Sequence, residues 1–277
     1  MIIMVTITIP TLNSAKSLAR CLEAIKAQTY KRIEVNIVDS YSKDGTVELA
    51  RKMGVNKIIL YGGSLLGARF EGVKVVKGKY TLILDSDQIL DETSIERAVS
   101  MAQEKNLKML VFEEEVSRTE SWVEKLFDMD RKLFNTICDL DPFTGVILPR
   151  FFDTSLLKEA YSNIPKEIFF KTGGPDHAIV YYESWLLSKA IGVLPKAVLH
   201  IEPTSLIQFW KKFYRWGYTG VEAHNFKKYH DLMTRKEWFR TGLFTHGLIK
   251  ESIGSIALSL LKGVANKSGY LVASLKK

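Results

Sequence analysis

The sequence predicts an α/β fold in which helices connect the strands of a mostly parallel sheet and cover both of its faces. Two features of the first 112 residues favour it: short apolar runs alternate with segments of helical periodicity, and polar clusters directly follow several of the runs. The predicted strands are 2–9, 33–38, 57–60, 80–84 and 108–112, and the predicted helices are 14–27, 46–53, 64–76 and 92–104. Pro10 is expected to end the first strand and Ser14 to cap the first helix.

The pattern is weaker after residue 112. We predict helices over 121–134 and 176–190, a turn and a buried strand within 141–150, a short strand at 197–201, and helix from 204 almost to the end. The predicted organisation is therefore an α/β domain over 1–205 followed by a helical extension over 206–277.

The composition is that of a folded globular protein, with 46% hydrophobic and 25% charged residues among 277. It excludes a disordered tail, a collagen-like chain and a coiled coil. Cys21 and Cys138 are expected to be free thiols, since two cysteines make no disulfide framework. No apolar run reaches about 18 residues, and the start has no signal-peptide pattern, so we expect a cytoplasmic protein.

The positive charge is concentrated in the predicted extension. Residues 1–205 hold 26 Lys and Arg against 27 Asp and Glu, whereas residues 206–277 hold 13 against 4. Such asymmetry indicates an acidic partner for the extension: a membrane surface, a phosphate-bearing substrate or nucleic acid.

Polar clusters at the ends of predicted strands form the candidate site. They are Thr11-Leu12-Asn13, Asp39-Ser40 and Asp85-Ser86-Asp87, and in a parallel sheet they should line one edge. Asp85 and Asp87 suit a hard cation such as Mg²⁺ or Mn²⁺, although a solvated turn has the same residues. Asp39 would accept hydrogen bonds from a nucleoside. Arg69 would meet a phosphate or base, or else form a surface ion pair.

Four segments resemble the family 2 glycosyltransferases, which have the GT-A fold. These segments are TIPTLN (8–13), VDSYSKDGT (38–46), GAR (67–69) and KGKYTLILDSD (77–87). A looser match continues through FTGVILPR (143–150), GGPD (173–176), YYE (181–183) and LIQFWKKFYRWG (206–217). The resemblance implies an inverting, metal-dependent transfer of a sugar from a UDP- or GDP-linked donor to an acceptor glycan or a lipid-linked acceptor.

The resemblance also implies roles for individual residues. Those expected to bind the nucleotide sugar are Pro10, Leu12, Asn13, Asp39, Arg69, Asp85, Ser86 and Trp216. Those expected to hold Mn²⁺ or Mg²⁺ are Asp85, Asp87 and His200, although His200 would equally suit a structural role.

The acceptor side departs from the family pattern. Where the family usually has Glu-Asp, this chain has Glu183-Ser184. Glu183 is the first candidate for the catalytic base and Asp176 the second, and a surface carboxylate is the alternative for each. His177 is a weaker candidate for acceptor binding.

One predicted helix of the extension carries Lys212, Arg215 and Trp216. Arg215 is expected to stabilise the departing diphosphate, and Trp216 to close over the site or else to pack in the core.

The last predicted helix is amphipathic. Its apolar positions are Ile249, Ile253, Ile256, Leu260 and Val264. We expect this face either to dock on its own domain or to lie at an anionic membrane surface, which would make the protein peripheral to the inner face of the cell membrane.

Two other functions compete with sugar transfer. A nucleotidyltransferase would need a glycine-rich, basic loop after the first strand, which TLNSAKS does not supply. A nucleic-acid binder would use the basic extension, whose aromatic residues from Phe209 to Tyr218 would stack on bases. We do not expect a nucleic-acid partner, because that function leaves the strand-end motifs unexplained.

Overall fold

The computed structural model describes residues 3–144, 147–234, 244 and 247–276. Eight strands lie in this part of the chain. They are β1 (Val5–Thr11), β2 (Ile33–Asp39), β3 (Lys57–Leu60), β4 (Tyr80–Ile83), β5 (Gln88–Leu90), β6 (Met109–Val116), β7 (Pro149–Asp153) and β8 (Ile191–His200).

The described helices follow the strands and then form the C-terminal part. They are α1 (Ala15–Ala27), α2 (Thr46–Lys52), α3 (Leu65–Lys74), α4 (Ser94–Glu104), α5 (Trp122–Ile137), α6 (Thr154–Ser162), α7 (Lys166–Phe169), α8 (Asp176–Leu187), α9 (Leu206–Asn225), α10 (His230–Thr234) and α11 (Ile249–Ser274). A 3₁₀ turn, Lys227–Tyr229, joins α9 to α10.

All eight strands form one sheet in the order β3-β2-β1-β4-β7-β6-β8-β5. The half that runs from β3 to β4 is parallel, as the sequence predicts. In the other half, β7 is antiparallel to both β4 and β6, and β5 is antiparallel to β8. The sheet is therefore mixed, with its parallel strands concentrated at the N-terminal end of the fold.

Helices cover both faces of the sheet. Leu18, Leu22 and Ile25 of α1 pack with Ala98 of α4 in the core on one face. On the other face, α3, α6 and α8 enclose a second core that includes Phe152 of β7. Because helices cover both faces, every residue of β1 is buried, including its threonines.

The first strand is longer than predicted. Pro10 does not end β1, since Pro10 pairs with Val38 and Thr11 pairs with Asp39 in β2. The pairing with β4 stops at Thr8, so the missing amide hydrogen of Pro10 costs no bond on that side. Ser14 does precede α1, but its side chain makes no cap; Asp44 instead accepts a hydrogen bond from the Ala15 amide at 3.0 Å.

Several other predicted bounds are wrong. β6 and β8 are longer than predicted, while β5, α6 and α7 have no predicted counterpart. β5 has three residues, too few to show a period. Residue 2 of the first predicted strand, Gly145 and Val146 of the motif at 143–150, and 235–243, 245 and 246 of the predicted helical extension lie outside the described residues. Cys21 and Cys138 are both free thiols.

The last helix packs on the rest of the chain through its small residues. Gly254, Leu258, Ala265 and Gly269 lie on the buried face of α11, which contacts α5 and α9. A Cβ on Gly269 would collide with the backbone of Tyr214 in α9. Within the described residues, no helix is both long and apolar enough to cross a membrane.

The predicted apolar face of this helix points outward. Ile249, Ile253, Leu260 and Val264 are all more than half exposed. The helix does dock on its own domain, one of the two expected alternatives, but it does so through the opposite, small-residue face. Ile256, the fifth predicted apolar position, is half-buried.

The close approach of α9 to α11 predicts opposite outcomes for two buried glycines. In Gly217→Ala the new methyl group would collide with the backbone carbonyl of Asn266, and we expect unfolding free energy to fall by about 2 kcal/mol. In Gly220→Ala the nearest atom is 3.6 Å away, and the gain in helix propensity should leave stability unchanged or raise it by up to about 1 kcal/mol. Urea denaturation measures both changes, and equal effects would contradict the packing.

Candidate active site

The ends of β1 and β2 meet at Asp39, as the sequence predicts. The fully buried Asp39 carboxylate accepts hydrogen bonds from the Thr11 hydroxyl at 2.8 Å and from the Ser42 hydroxyl at 2.6 Å. It also accepts one from the Ser42 amide at 2.8 Å. Asp39 therefore fixes the loop after β2 against the end of β1.

Asn13 reinforces the contact between these two loops. Its backbone has a positive φ of 49° and its amide donates to the Ser42 hydroxyl at 2.7 Å. Its side-chain oxygen accepts from the Lys43 amide at 2.9 Å. Asn and Asp tolerate this left-handed conformation better than other L-residues. Leu12 is half exposed beside it, whereas Pro10 is buried within β1.

Asp85, at the end of β4, lies between two arginines. One carboxylate oxygen is 2.6 Å from Nη2 of Arg69 in α3, and the other is 3.0 Å from Nη1 of Arg150 in β7. Burial alone would raise the pKa of Asp85, but the two guanidinium groups hold it well below its usual range. Both oxygens are thus engaged with arginine in this structure.

Arg69 connects this strand end to α8. The buried Arg69 guanidinium also donates through Nε to the buried Asp176 carboxylate. His177 lies beside it, with Nε2 3.1 Å from Arg150 Nη1 and 3.7 Å from the Asp85 carboxylate. Burial and Arg69 lower the pKa of His177. Two acceptor-side candidates are therefore in direct contact with the strand-end cluster.

Asp87 and His200 form a second centre. Asp87 follows the turn that contains the half-buried Ser86, and β5 then pairs with β8 so that Gln88 lies opposite His200. His200 Nε2 is 3.3 Å from an Asp87 oxygen, and its Nδ1 is 2.9 Å from Glu202. Burial disfavours the imidazolium, but Glu202 and Asp87 outweigh that effect and raise the pKa of His200 to about 9.

Helix α9 adds Lys212 to this centre. Lys212 Nζ is 3.8 Å from Asp87 and 3.7 Å from Glu202, and it lies 5.9 Å from the ring of Trp216. Trp216 is over a third exposed and packs edge-on against Phe213. Arg215, one residue earlier, is exposed on the helix. The cation that α9 brings to Asp87 is therefore Lys212.

The glycine pair before α8 holds α9 in place. The Gly173 amide donates to the Thr219 carbonyl at 3.2 Å, and a Cβ on Gly174 would collide with the backbone of Trp216. The GGPD segment (173–176) is thus packed directly on the segment at 206–217, although the two are distant in the sequence.

Glu183 lies elsewhere, two helical turns along α8 from Asp176. It is buried, accepts a hydrogen bond from Tyr229 at 2.6 Å and forms an ion pair with Lys228 at 2.7 Å. Both partners belong to the turn after α9. These two contacts of Glu183 join α8 to the C-terminal part and not to the strand-end cluster.

Sequence reasoning missed four charged residues that complete the cluster. Glu114 accepts from Arg150 Nε at 2.7 Å and pairs with Arg131 at 2.6 Å, and Arg131 also contacts Glu202. Arg150 and Arg131 lower the pKa of Glu114 to about 2 despite its burial. The signal that would have found Glu114 is the one used for Asp85: a carboxylate directly after an apolar strand run.

The donor atoms at Asp87 and His200 fit a divalent cation. A carboxylate oxygen and an imidazole nitrogen suit Mn²⁺, and Mg²⁺ or Mn²⁺ commonly completes its shell with water and substrate phosphates. Glu202 at Nδ1 leaves Nε2 facing Asp87, an arrangement typical of metal-binding histidines, and a bound cation would displace the proton that the two carboxylates favour on this imidazole. No preformed cluster of three or more metal-binding side chains occurs among the described residues.

The sequence profile described as Glycosyl transferase family 2 matches residues 6–163, more than half of the chain. The chain therefore belongs to this family, and the resemblance noted in the sequence is confirmed. It is 34% identical over 114 residues to glycosyltransferase GlyG of Streptococcus pneumoniae, a match that spans 39% of this chain and 38% of GlyG.

Solved structures share the whole fold at low sequence identity. TarS 1–349 of S. aureus in complex with UDP-GlcNAc has a TM-score of 0.57 at 17% identity, with 98% of this chain and 90% of that chain covered. The mannosyltransferase PcManGT of Pyrobaculum calidifontis, in complex with GDP-Man and Mn²⁺, has a TM-score of 0.56 at 18% identity, with 98% and 75% covered. These neighbours confirm the predicted GT-A fold.

The Arg69 bridge predicts a large stability effect at Asp176. Asp176→Asn leaves a buried guanidinium with one carboxylate fewer, so we expect unfolding free energy to fall by about 3 kcal/mol. The matched control is Asp128→Asn, which removes an i,i+4 pair with the exposed Lys132 and should cost under about 0.5 kcal/mol. Chemical denaturation compares them, and a loss at Asp176 no larger than at Asp128 would contradict the bridge.

Proposed function

We propose that the chain is an inverting, divalent-metal-dependent glycosyltransferase that uses a nucleoside-diphosphate sugar. The observation that carries this proposal is the Asp87–His200 pair, which lies at the carboxyl edge of the sheet beside the anchored Asp85. The family assignment and the shared fold support sugar transfer. The acceptor is a glycan hydroxyl or a lipid phosphate.

The donor nucleoside is assigned to the loops after β1 and β2. Leu12 and Tyr41 are exposed there, and Asp39 and Asn13 hold the two loops together. Both oxygens of Asp39 already accept bonds from the loop, so in this proposal Asp39 shapes the pocket as well as meeting the nucleoside. The UDP-GlcNAc and GDP-Man bound by the two structural neighbours favour a UDP- or GDP-linked donor.

The cation site is assigned to Asp87 and His200. When bound there, Mn²⁺ or Mg²⁺ supplies positive charge for the diphosphate leaving group. Arg69 and Arg150 occupy both oxygens of Asp85 and are proposed to orient this carboxylate towards the donor. Asp87 is therefore proposed as the first carboxylate ligand of the cation. The Mn²⁺ in the PcManGT complex supports a divalent cation.

The remaining charged residues of the site are proposed to act on the leaving group and on the acceptor. Lys212 and Trp216 of α9 lie at the leaving-group side, and Lys212 replaces Arg215 as the first candidate to neutralise the diphosphate. Asp176 and Glu183 remain the proposed acceptor-side acids, and of the two Asp176 contacts the strand-end cluster. One of these two carboxylates, acting as the general base, would remove the acceptor proton, and the acceptor oxygen would then attack the anomeric carbon from the face opposite the departing nucleoside diphosphate.

The competing nucleic-acid function has a specific observation against it. Phe209 and Phe213 of α9 are almost completely buried and pack on Phe127. These two rings are core residues and cannot stack on bases, which removes two of the six aromatic residues of α9 from a stacking surface.

Asp87→Asn tests the proposal against a matched control. We expect the variant to stay folded and to release nucleoside diphosphate from UDP- and GDP-sugars at least about a hundredfold more slowly, because the cation loses its carboxylate. Asp91→Asn changes an exposed aspartate four residues away, paired with Arg97, and should keep its activity.

The readout is nucleoside diphosphate release with and without Mn²⁺, with an acceptor mixture present. A wild-type rate that is unaffected by removal of divalent cations, or an Asp87→Asn rate equal to that of Asp91→Asn, would contradict the metal assignment.

A further inference from the structure

The outward face of α11 is apolar along its whole length. We define the outer stripe as Ile249, Ile253, Leu260, Val264 and Leu271, whose side chains are 50–61% exposed. Steps of four and seven residues keep all five on one side of the helix. At about 1.5 Å per residue the stripe extends for about 33 Å. An ordinary surface helix would expose polar residues here.

The opposite face of the same helix explains why the stripe is not needed for folding. The buried residues of α11 are Ser252, Gly254, Ser255, Leu258, Ala265, Gly269 and Ala273. Small residues let the backbones of α9 and α11 approach closely. Asp130 of α5 accepts a hydrogen bond from the Ser255 hydroxyl at 2.5 Å and forms an ion pair with Lys262 at 3.1 Å. The outer stripe is thus free for another partner.

The charges around the stripe are basic. Lys250 lies near one end of the stripe and Lys267 lies within it, and both are exposed. The single acid of α11, Glu251, is only partly exposed. Lysine side chains bury their methylene groups at an interface while the ammonium group reaches polar headgroups. An apolar stripe with basic residues beside it is the pattern of a helix that lies in the plane of an anionic membrane.

We propose that the outer stripe of α11 docks the protein on an anionic lipid surface. The apolar side chains enter the boundary between headgroups and acyl chains, and Lys250 and Lys267 contact lipid phosphates. A second copy of the chain fits less well, because pairing two stripes would bring together two segments that each carry the basic excess of residues 206–277. The inference goes beyond sugar transfer and does not depend on it.

Vesicle sedimentation of the full chain, without donor or acceptor, tests the apolar part. The wild type should sediment with phosphatidylcholine vesicles that contain about 30% phosphatidylglycerol, and far less with phosphatidylcholine alone. Ile253→Ser/Leu260→Ser/Val264→Ser should bind at least about tenfold more weakly with an unchanged unfolding temperature, since these side chains already face water. The matched control is Leu60→Ser/Phe170→Ser/Leu186→Ser, which changes three equally exposed apolar residues elsewhere and should bind like the wild type.

A charge-reversal pair tests the basic part. Lys250→Glu/Lys267→Glu should weaken binding to anionic vesicles, whereas Lys52→Glu/Lys105→Glu, which changes exposed lysines of α2 and the end of α4, should weaken it much less. Equal binding of both apolar variants, or equal binding to neutral and anionic vesicles, would overturn the proposal. A third outcome would also overturn the proposal: the wild type is a dimer that does not bind vesicles, and the outer-stripe variant is a monomer. The occupant of the stripe would then be a second copy of the chain.

Discussion

The buried guanidinium of Arg69 is the interaction on which the rest of the site depends. It lies between the carboxylates of Asp85 and Asp176, and so joins the end of the fourth strand to the start of α8. A buried arginine is tolerated only with its charge compensated, and removal of one partner from a buried pair costs about 3–5 kcal/mol. The position of α8, and of the α9 helix that packs on the glycines before it, therefore follows from this pair of contacts.

From Arg69 the opposite charges continue across the edge of the sheet. Arg150 pairs with Asp85 and Glu114, Arg131 pairs with Glu114 and Glu202, and Glu202 contacts His200. Each side chain is held from both sides, so the acidic edge has little freedom to rearrange. Asp87 differs from the rest: it is a third exposed, and its neighbours are His200 and the flexible side chain of Lys212. Asp87 is therefore the more accessible of the two strand-end carboxylates in an otherwise rigid frame, which suits the cation proposed to bind there.

The sequence was sufficient for the features that local rules control. The strand-end aspartates and the parallel half of the sheet follow from apolar runs and the polar residues after them, and the family resemblance added His200. The sequence was insufficient where contacts between residues far apart in the chain determine the structure. β5 is stable only because β8 lies beside it, and Arg150 and Glu114 meet through the pairing of β6 with β7. Helix α11 shows a different failure: its periodicity was correct, but its small residues face the protein and its large ones face outward.

The edge around Asp87 and His200 is proposed to bind a nucleoside diphosphate together with a divalent cation. Thermal unfolding with UDP or GDP, each with and without Mn²⁺, tests it most directly, since binding to the native state alone raises stability by about 2.7 kcal/mol at a hundredfold excess over Kd. We expect the unfolding temperature to rise with one of the two nucleotides, and only when Mn²⁺ is present. No rise with either nucleotide, or a rise of the same size without Mn²⁺, would contradict it.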